Sequence, residues 1–370
     1  MIRKLSLTAA LGVALGLSSV AGVQAADLTY NTYLPAPHVL NKVGMEPFAE
    51  RVARDSGGEV NFKLLTGGSV AKASAGLDVM RDGIVNSGLL VDLYMRKSLP
   101  LNTVISDLAL LGTDPLVMVG AVSEYKLVLC EECRKEMQRS SSIAMAFAST
   151  TPYTLMCKTK VDSLASMAGK KVRATGPWGV VFKEFGMVPV NVSSGETYEA
   201  MQRGQIDCTA GADAWLKSYT LWDVAKFVVD YPMGTYHGTL VLGMNADTWA
   251  GLSDKGRKAI VSNLPELAAA GAFGYEVEKQ EARDGASGHG VAFVEPAKDL
   301  VDALADYQQK EIERVIKQAE GAGIKNARDE VQTFLKTIEK WQKIVDDSKR
   351  DRAAYVQALE REVYSKAVFK

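Results

Sequence analysis

The chain is expected to fold as a two-lobed α/β protein, and three observations point that way. Short runs with apolar residues at every second position alternate with runs of period 3.6, the strand–helix order of βαβ units and a mainly parallel sheet. At 370 residues the chain is too long for one ordinary core and divides into two domains. A corner in the first half, Val79-Met-Arg-Asp-Gly-Ile-Val-Asn, is echoed in the second by Ala200-Met-Gln-Arg-Gly-Gln-Ile-Asp. Each is a helix end closed by glycine and followed at once by an apolar strand, which suits two similar lobes.

Met1 to Ala26 reads as a secretory leader. Arg3 and Lys4 give a positive start, Leu5 to Val20 is mostly apolar, and Val23-Gln24-Ala25 offers small residues for cleavage near Ala25 or Ala26. The apolar run is too short and too rich in Ala, Gly and Ser for a permanent anchor. The mature protein is expected to be soluble and exported. A net charge of −1 argues against a nucleic-acid surface, which needs a basic excess.

Leu28-Thr-Tyr-Asn-Thr-Tyr-Leu alternates as a strand and ends in Pro35-Ala-Pro37. Val43, Phe48 and Val52 share a helix face that Gly57-Gly58 terminates. Val60 to Leu64 is the next strand, and Leu77 to Arg81 lies in the next helix. Ser149 to Met156 and His237 to Asn245 read as strands that cross between the lobes. Leu300, Leu304, Tyr307, Val315 and Ala319 line one late helix, and Val331, Phe334, Ile338 and Trp341 line another, with Gly321 and Gly323 between them. Tyr355, Leu359 and Val363 mark a last short helix.

Four cysteines, Cys130, Cys133, Cys157 and Cys208, allow three pairings in an oxidising compartment. Cys130–Cys133 with Cys157–Cys208 is favoured, because Cys157 and Cys208 lie in strand-like segments of one lobe. A redox role for Cys130-Glu-Glu-Cys133 is opposed by the two glutamates, which disfavour thiolate. His38, His237 and His289 share no metal-ligand spacing, and Ser287 lacks the strand–turn–helix setting of a nucleophile elbow. No metal and no cofactor is expected.

Arg173 is the candidate anchor for an anionic ligand. It ends a short β-rich segment, Lys170-Lys-Val-Arg173, just before Thr175-Gly176. Ligands of open α/β sheets sit outside the carboxyl ends of the strands, and a guanidinium can make two parallel hydrogen bonds to one carboxylate.

With these residues read, the chain resembles the solute-binding proteins of tripartite ATP-independent periplasmic (TRAP) transporters, the DctP-like family. The resemblance is densest at Lys170-Lys-Val-Arg173 and at Pro189-Val190 with Glu196, Tyr198, Ala200, Gly204 and Asp207. It continues at Asp223-Val-Ala-Lys226 and at Asn245, Trp249 and Leu252. It implies a periplasmic-binding-protein-like fold whose lobes close on a small organic acid, with mixed sheets, hinge strands and long C-terminal helices. It also implies delivery to TRAP membrane permease subunits and no chemistry on the ligand. Residues 27–150 and about 239–280 are expected in the first lobe, and 151–238 and about 281–370 in the second. The family arginine that meets the ligand carboxylate falls on Arg173.

Two departures bear on the ligand. Many members follow the aspartate with Gly-Gln-Glu-Asn, whose asparagine meets the ligand; here Cys-Thr-Ala-Gly follows Asp207 and puts Gly211 there. Some carry a second arginine in the crossing strand, where this chain has Ala148-Ser-Thr-Thr151. Both argue against an ordinary four-carbon dicarboxylate. Trp178, Trp215 and Tyr153 gather near the expected cleft, as walls for a ring-bearing monocarboxylate or as lobe packing. Asp213 is read as a ligand acceptor or as the cap of the adjoining helix. His38 is read as a rim contact or a solvated loop residue. A ligand-sensing input to a receptor and an exported enzyme are the alternatives to transport; no nucleophile–base pair supports the enzyme.

Overall fold

The structure, a computed structural model, describes residues 25–369. The expected leader lies outside the described residues except for Ala25 and Ala26.

Among the described residues, eleven strands form two sheets. They are β1 (Ala26–Asn31), β2 (Val60–Leu65), β3 (Ser87–Val91), β4 (Ser142–Ala148), β5 (Tyr153–Cys157), β6 (Lys171–Arg173), β7 (Val188–Val190), β8 (Cys208–Ala212), β9 (Phe227–Val229), β10 (Thr239–Asn245) and β11 (Ala292–Val294). The first lobe holds the sheet β2-β1-β3-β10-β4, and the second holds β11-β9-β5-β8-β6-β7. β1 runs parallel to β2 and β3, whereas β10 runs antiparallel to β3 and β4. In the second sheet, β6 runs parallel to β7 and β8, and β5 runs antiparallel to β8 and β9. β3, β5, β8 and β10 are buried throughout, as expected of strands covered on both faces.

Four segments join the lobes. Residues 149–152 lead from β4 to β5, and 230–238 lead from β9 back to β10. Of the strand expected over Ser149–Met156, only Tyr153–Met156 is strand, as part of β5; residues 149–152 are the crossing turn. The Leu264–Ala286 helix starts on the first lobe and reaches the second, where Arg283 donates to Asp213. The Lys298–Gly321 helix starts beside the second lobe, where Ala297 N–H donates to Asp162 O at 2.6 Å, and Gln308 on it reaches Leu110 O of the first lobe.

The chain after the Lys298–Gly321 helix packs on the first lobe. Trp341, on the Ala327–Asp347 helix, lies over Gly120 of the Pro115–Glu124 helix, where a Cβ would come within 2.1 Å of the indole. Its Nε1 donates to Glu124 Oε2 at 2.8 Å, and the Tyr355 hydroxyl donates to Leu116 O at 2.6 Å. These contacts correct the expectation that residues to 370 belong to the second lobe. The Pro115–Glu124 helix starts at Asp114, whose side chain accepts from Leu116 N–H, with proline at its first position. Every residue of this helix is buried.

The disulfides are Cys130–Cys133 and Cys157–Cys208, the pairing favoured from sequence. Cys157 and Cys208 face one another across β5 and β8.

Candidate functional site

Strand direction gathers the site. β3, β6, β7 and β8 end at the cleft between the lobes. The antiparallel strands β5 and β10 bring their first residues to the same edge, since Tyr153 pairs with Ala212 and Thr239 with Val91. A cavity lies there, lined from both lobes. Tyr33 follows β1, Tyr94 follows β3, Ser194 follows β7 and Trp215 follows β8.

Arg173 closes β6 and is 2 % exposed. Its Nε donates to Val192 O at 3.0 Å, Nη1 to Ala210 O at 3.2 Å, and Nη2 to the Tyr94 hydroxyl at 2.7 Å. Those acceptors are neutral, and among the described residues no carboxylate pairs with Arg173. Burial opposes its charge, but the phenols of Tyr94, Tyr153, Tyr33 and Tyr219 outweigh this and hold its pKa above the ordinary arginine value. A buried, charged, unpaired guanidinium is costly unless something else supplies the anion.

The spare donors show what that anion would meet. A guanidinium has five N–H groups, and these hydrogen bonds use three. Tyr94 already accepts twice, from Arg173 and from Ser194 N–H at 3.1 Å, so its own O–H is free to donate. Two N–H groups and one O–H are thus left for a carboxylate. The Tyr219 hydroxyl donates to Ser194 Oγ at 3.1 Å, and Ser194 Oγ donates to the Tyr33 hydroxyl at 3.3 Å. Tyr33 and Tyr94 belong to the first lobe and Arg173, Ser194 and Tyr219 to the second, so this network ties the lobes together.

The remaining walls combine aliphatic side chains, among them Leu40, Leu89 and Val91, with aromatic ones. Tyr153 stacks on Trp178 with centroids 4.3 Å apart and meets Trp215 edge-on at 5.2 Å. Trp215 meets Tyr219 edge-on at 5.2 Å, and the Arg173 guanidinium lies 5.5 Å from the Trp215 ring centre. His38 packs against Tyr219 and Tyr275. Burial pushes its pKa down to about 3, so the ring is neutral.

Of the residues singled out from sequence, Arg173, Trp215, Tyr153 and His38 line the cavity. Three do not. Trp178 lies behind Tyr153 and donates its indole N–H to Met233 O at 2.8 Å. Asp213 accepts from Thr154 Oγ1 and from Arg283 Nη1, both at 2.6 Å, so it neither faces the cavity nor caps a helix. Gly211 is a floor rather than a contact: a Cβ there would lie 2.1 Å from the Trp215 ring. The indole therefore occupies the space that a side chain at 211 would fill.

Sequence reasoning did not single out Tyr94, Ser194, Tyr219, Tyr236 or Tyr275. Tyr94 and Ser194 stand three and four residues beyond strand ends, so the carboxyl-end rule that found Arg173 could have found them. Tyr275 sits within a helix, where nothing in its local pattern marks it.

Comparisons with known proteins bear on the fold and the family. The chain is 27% identical over 301 residues to the outer membrane transporter protein TsaT of Comamonas testosteroni, covering 79% of this chain and 85% of that one. A TRAP periplasmic solute binding protein from Bordetella bronchiseptica, solved with (R)- and (S)-mandelate, matches at 20% identity and a TM-score of 0.73, over 85% of this chain and 99% of its own. A TRAP solute binding protein from Rhodoferax ferrireducens, solved with copurified benzoate, matches at 19% identity and a TM-score of 0.77, over 86% and 99%. These structures share the fold. The family model for bacterial extracellular solute-binding proteins, family 7 (DctP), matches residues 31–303, and the chain belongs to that family.

Proposed function

We propose that this solute-binding protein captures a ring-bearing monocarboxylate in the periplasm and delivers it, unchanged, to TRAP membrane permease subunits. The observation that carries the reading is Arg173: a buried cation with spare donors and no carboxylate partner among the described residues, set among aromatic walls. Among the described residues, Arg173 is the only Lys or Arg on the cavity wall, which supports one carboxylate rather than two. The mandelate and benzoate of the structural neighbours support the same ligand class. No helix of the described residues is long and apolar enough to cross a membrane.

In mechanism, the open form exposes Arg173, and the carboxylate takes its free N–H groups and the Tyr94 O–H. Since those donors come from both lobes, the ligand favours the closed form by its differential contacts. Calorimetry of the mature protein against aromatic monocarboxylates, keto acids, sugar acids and dicarboxylates tests this. Ring monocarboxylates should bind and be recovered unaltered. Product formation, or binding confined to dicarboxylates, would overturn it.

A further inference from the structure

The cavity wall carries a second polar group that the Arg173 network does not use. Leu40 donates its backbone N–H to His38 Nδ1 at 3.2 Å. That nitrogen is the acceptor, so the proton of the neutral ring sits on Nε2. Nε2 faces the Tyr275 hydroxyl at 3.4 Å, long for a hydrogen bond. Among the described residues, the buried Trp215 indole N–H makes no hydrogen bond of normal length; the same phenol lies near enough for only a weak one. All three side chains line the cavity, and none shares a hydrogen bond with Arg173, Tyr94 or Ser194. Leaving a buried N–H unsatisfied costs about 1–3 kcal/mol. Among the described residues nothing at normal hydrogen-bond length satisfies that N–H, and an acceptor from a ligand would complete it.

Charge decides the kind of acceptor. No Lys or Arg stands beside these three side chains on the cavity wall apart from Arg173, which serves the other network. Burial keeps His38 neutral. A second carboxylate here would be a buried anion without a cation. A phenol, ether or carbonyl oxygen would be satisfied at no such cost. The Gly211 floor fixes the indole, because the space the ring fills is open only to a residue without a Cβ.

We propose that the ligand is a ring monocarboxylate carrying a neutral oxygen away from its carboxylate, received by Trp215 Nε1–H, His38 Nε2–H and the Tyr275 hydroxyl. This rests on the ring-acid reading above and narrows it.

Calorimetry with benzoate, the three hydroxybenzoates, the matching methylbenzoates and terephthalate tests it. At least one hydroxybenzoate should bind about tenfold tighter than both benzoate and its methyl counterpart. Terephthalate should not compete with it. Trp215→Phe keeps an aromatic ring and removes the N–H, so the hydroxy-to-methyl affinity ratio should fall towards one. A ratio near one in the natural protein overturns the proposal, as does a ratio that Trp215→Phe leaves unaltered or terephthalate binding as tightly as the hydroxy acids. If Trp215→Phe does not fold, the ratio in the natural protein still decides. If benzoate and methylbenzoates bind without preference for oxygen, the ring-acid reading stands and this one fails. If no ring acid binds, both fail.

Discussion

Arg173 of the second lobe donates to the hydroxyl of Tyr94 of the first at 2.7 Å. The side chain that would hold the ligand's charge is thus also one that joins the two halves. On the proposed reading, capture and closure would share that side chain, and the first prediction follows from that. Arg173→Ala should weaken ligand binding by ~2–5 kcal/mol, roughly thirty- to several-thousand-fold. Arg173→Lys should not restore it, because an ammonium cannot reach Val192 O, Ala210 O and Tyr94 while still offering a fork. Calorimetry showing near-normal affinity in either variant would remove the anchor role.

Tyr94→Phe takes away the acceptor shared by Arg173 and Ser194 N–H. Affinity should fall by about 1.5–3 kcal/mol, the range for a hydrogen bond to a charged group. Small-angle scattering of the variant with ligand should show a larger fraction of open molecules. Scattering curves matching those of the natural protein would separate Tyr94 from closure.

Gly211→Ala tests the floor beneath Trp215. The new Cβ would stand 2.1 Å from the indole, so the ring must move. Overpacking of this kind costs about 1–3 kcal/mol of stability, and tryptophan emission should shift with it. Unchanged emission and melting temperature would show that the ring has room to spare.

The Cys157–Cys208 bridge closes a sequence separation of 51, against 3 for Cys130–Cys133. A Cys157→Ser, Cys208→Ser double variant should lose about 2–4 kcal/mol of stability. The corresponding change at Cys130 and Cys133 should cost less, since so short a loop restricts the unfolded chain little. Equal losses would contradict this ordering.

Burial pushes the Glu278 carboxyl up to about 7, and its Oε2 has no hydrogen-bond partner. The unfolded chain releases this proton near 4.5, whereas the folded protein keeps it to about 7. Between those values the folded state binds the extra proton, so stability falls as pH rises through the window, and the cost is complete above it. Glu278→Gln lacks that cost. Its advantage over the natural protein should open above pH 4.5 and level off above 7 at about 3 kcal/mol. Thermal melts that stay parallel across the window would show no such linkage.

Arg173 was legible in the sequence because its local setting, the end of a short strand before a glycine turn, is also what brings it to the cavity wall. The helix faces at Val331, Phe334, Ile338 and Trp341 were legible for a similar reason: one side meets the core and the other meets water. The Pro115–Glu124 helix left no such signature, since all its residues are buried and no polar face interrupts them. Asp213 misled because its partners, Thr154 and Arg283, are 59 and 70 residues away. Gly211 misled for a subtler reason. The side chain missing there is replaced by Trp215, four residues on, and only three dimensions show that substitution. The place of the C-terminal helices was hidden too, because periodicity reveals that a face is apolar but not which core it meets.

β10 lies between β3 and β4 at the heart of the first sheet, yet the entire run from β5 to β9 precedes it in the chain. Assembly therefore cannot follow synthesis order. Until Thr239–Asn245 arrives, β3 and β4 hold bare backbone edges open to any stray strand. A stall anywhere in the intervening stretch would leave half a sheet ready to aggregate.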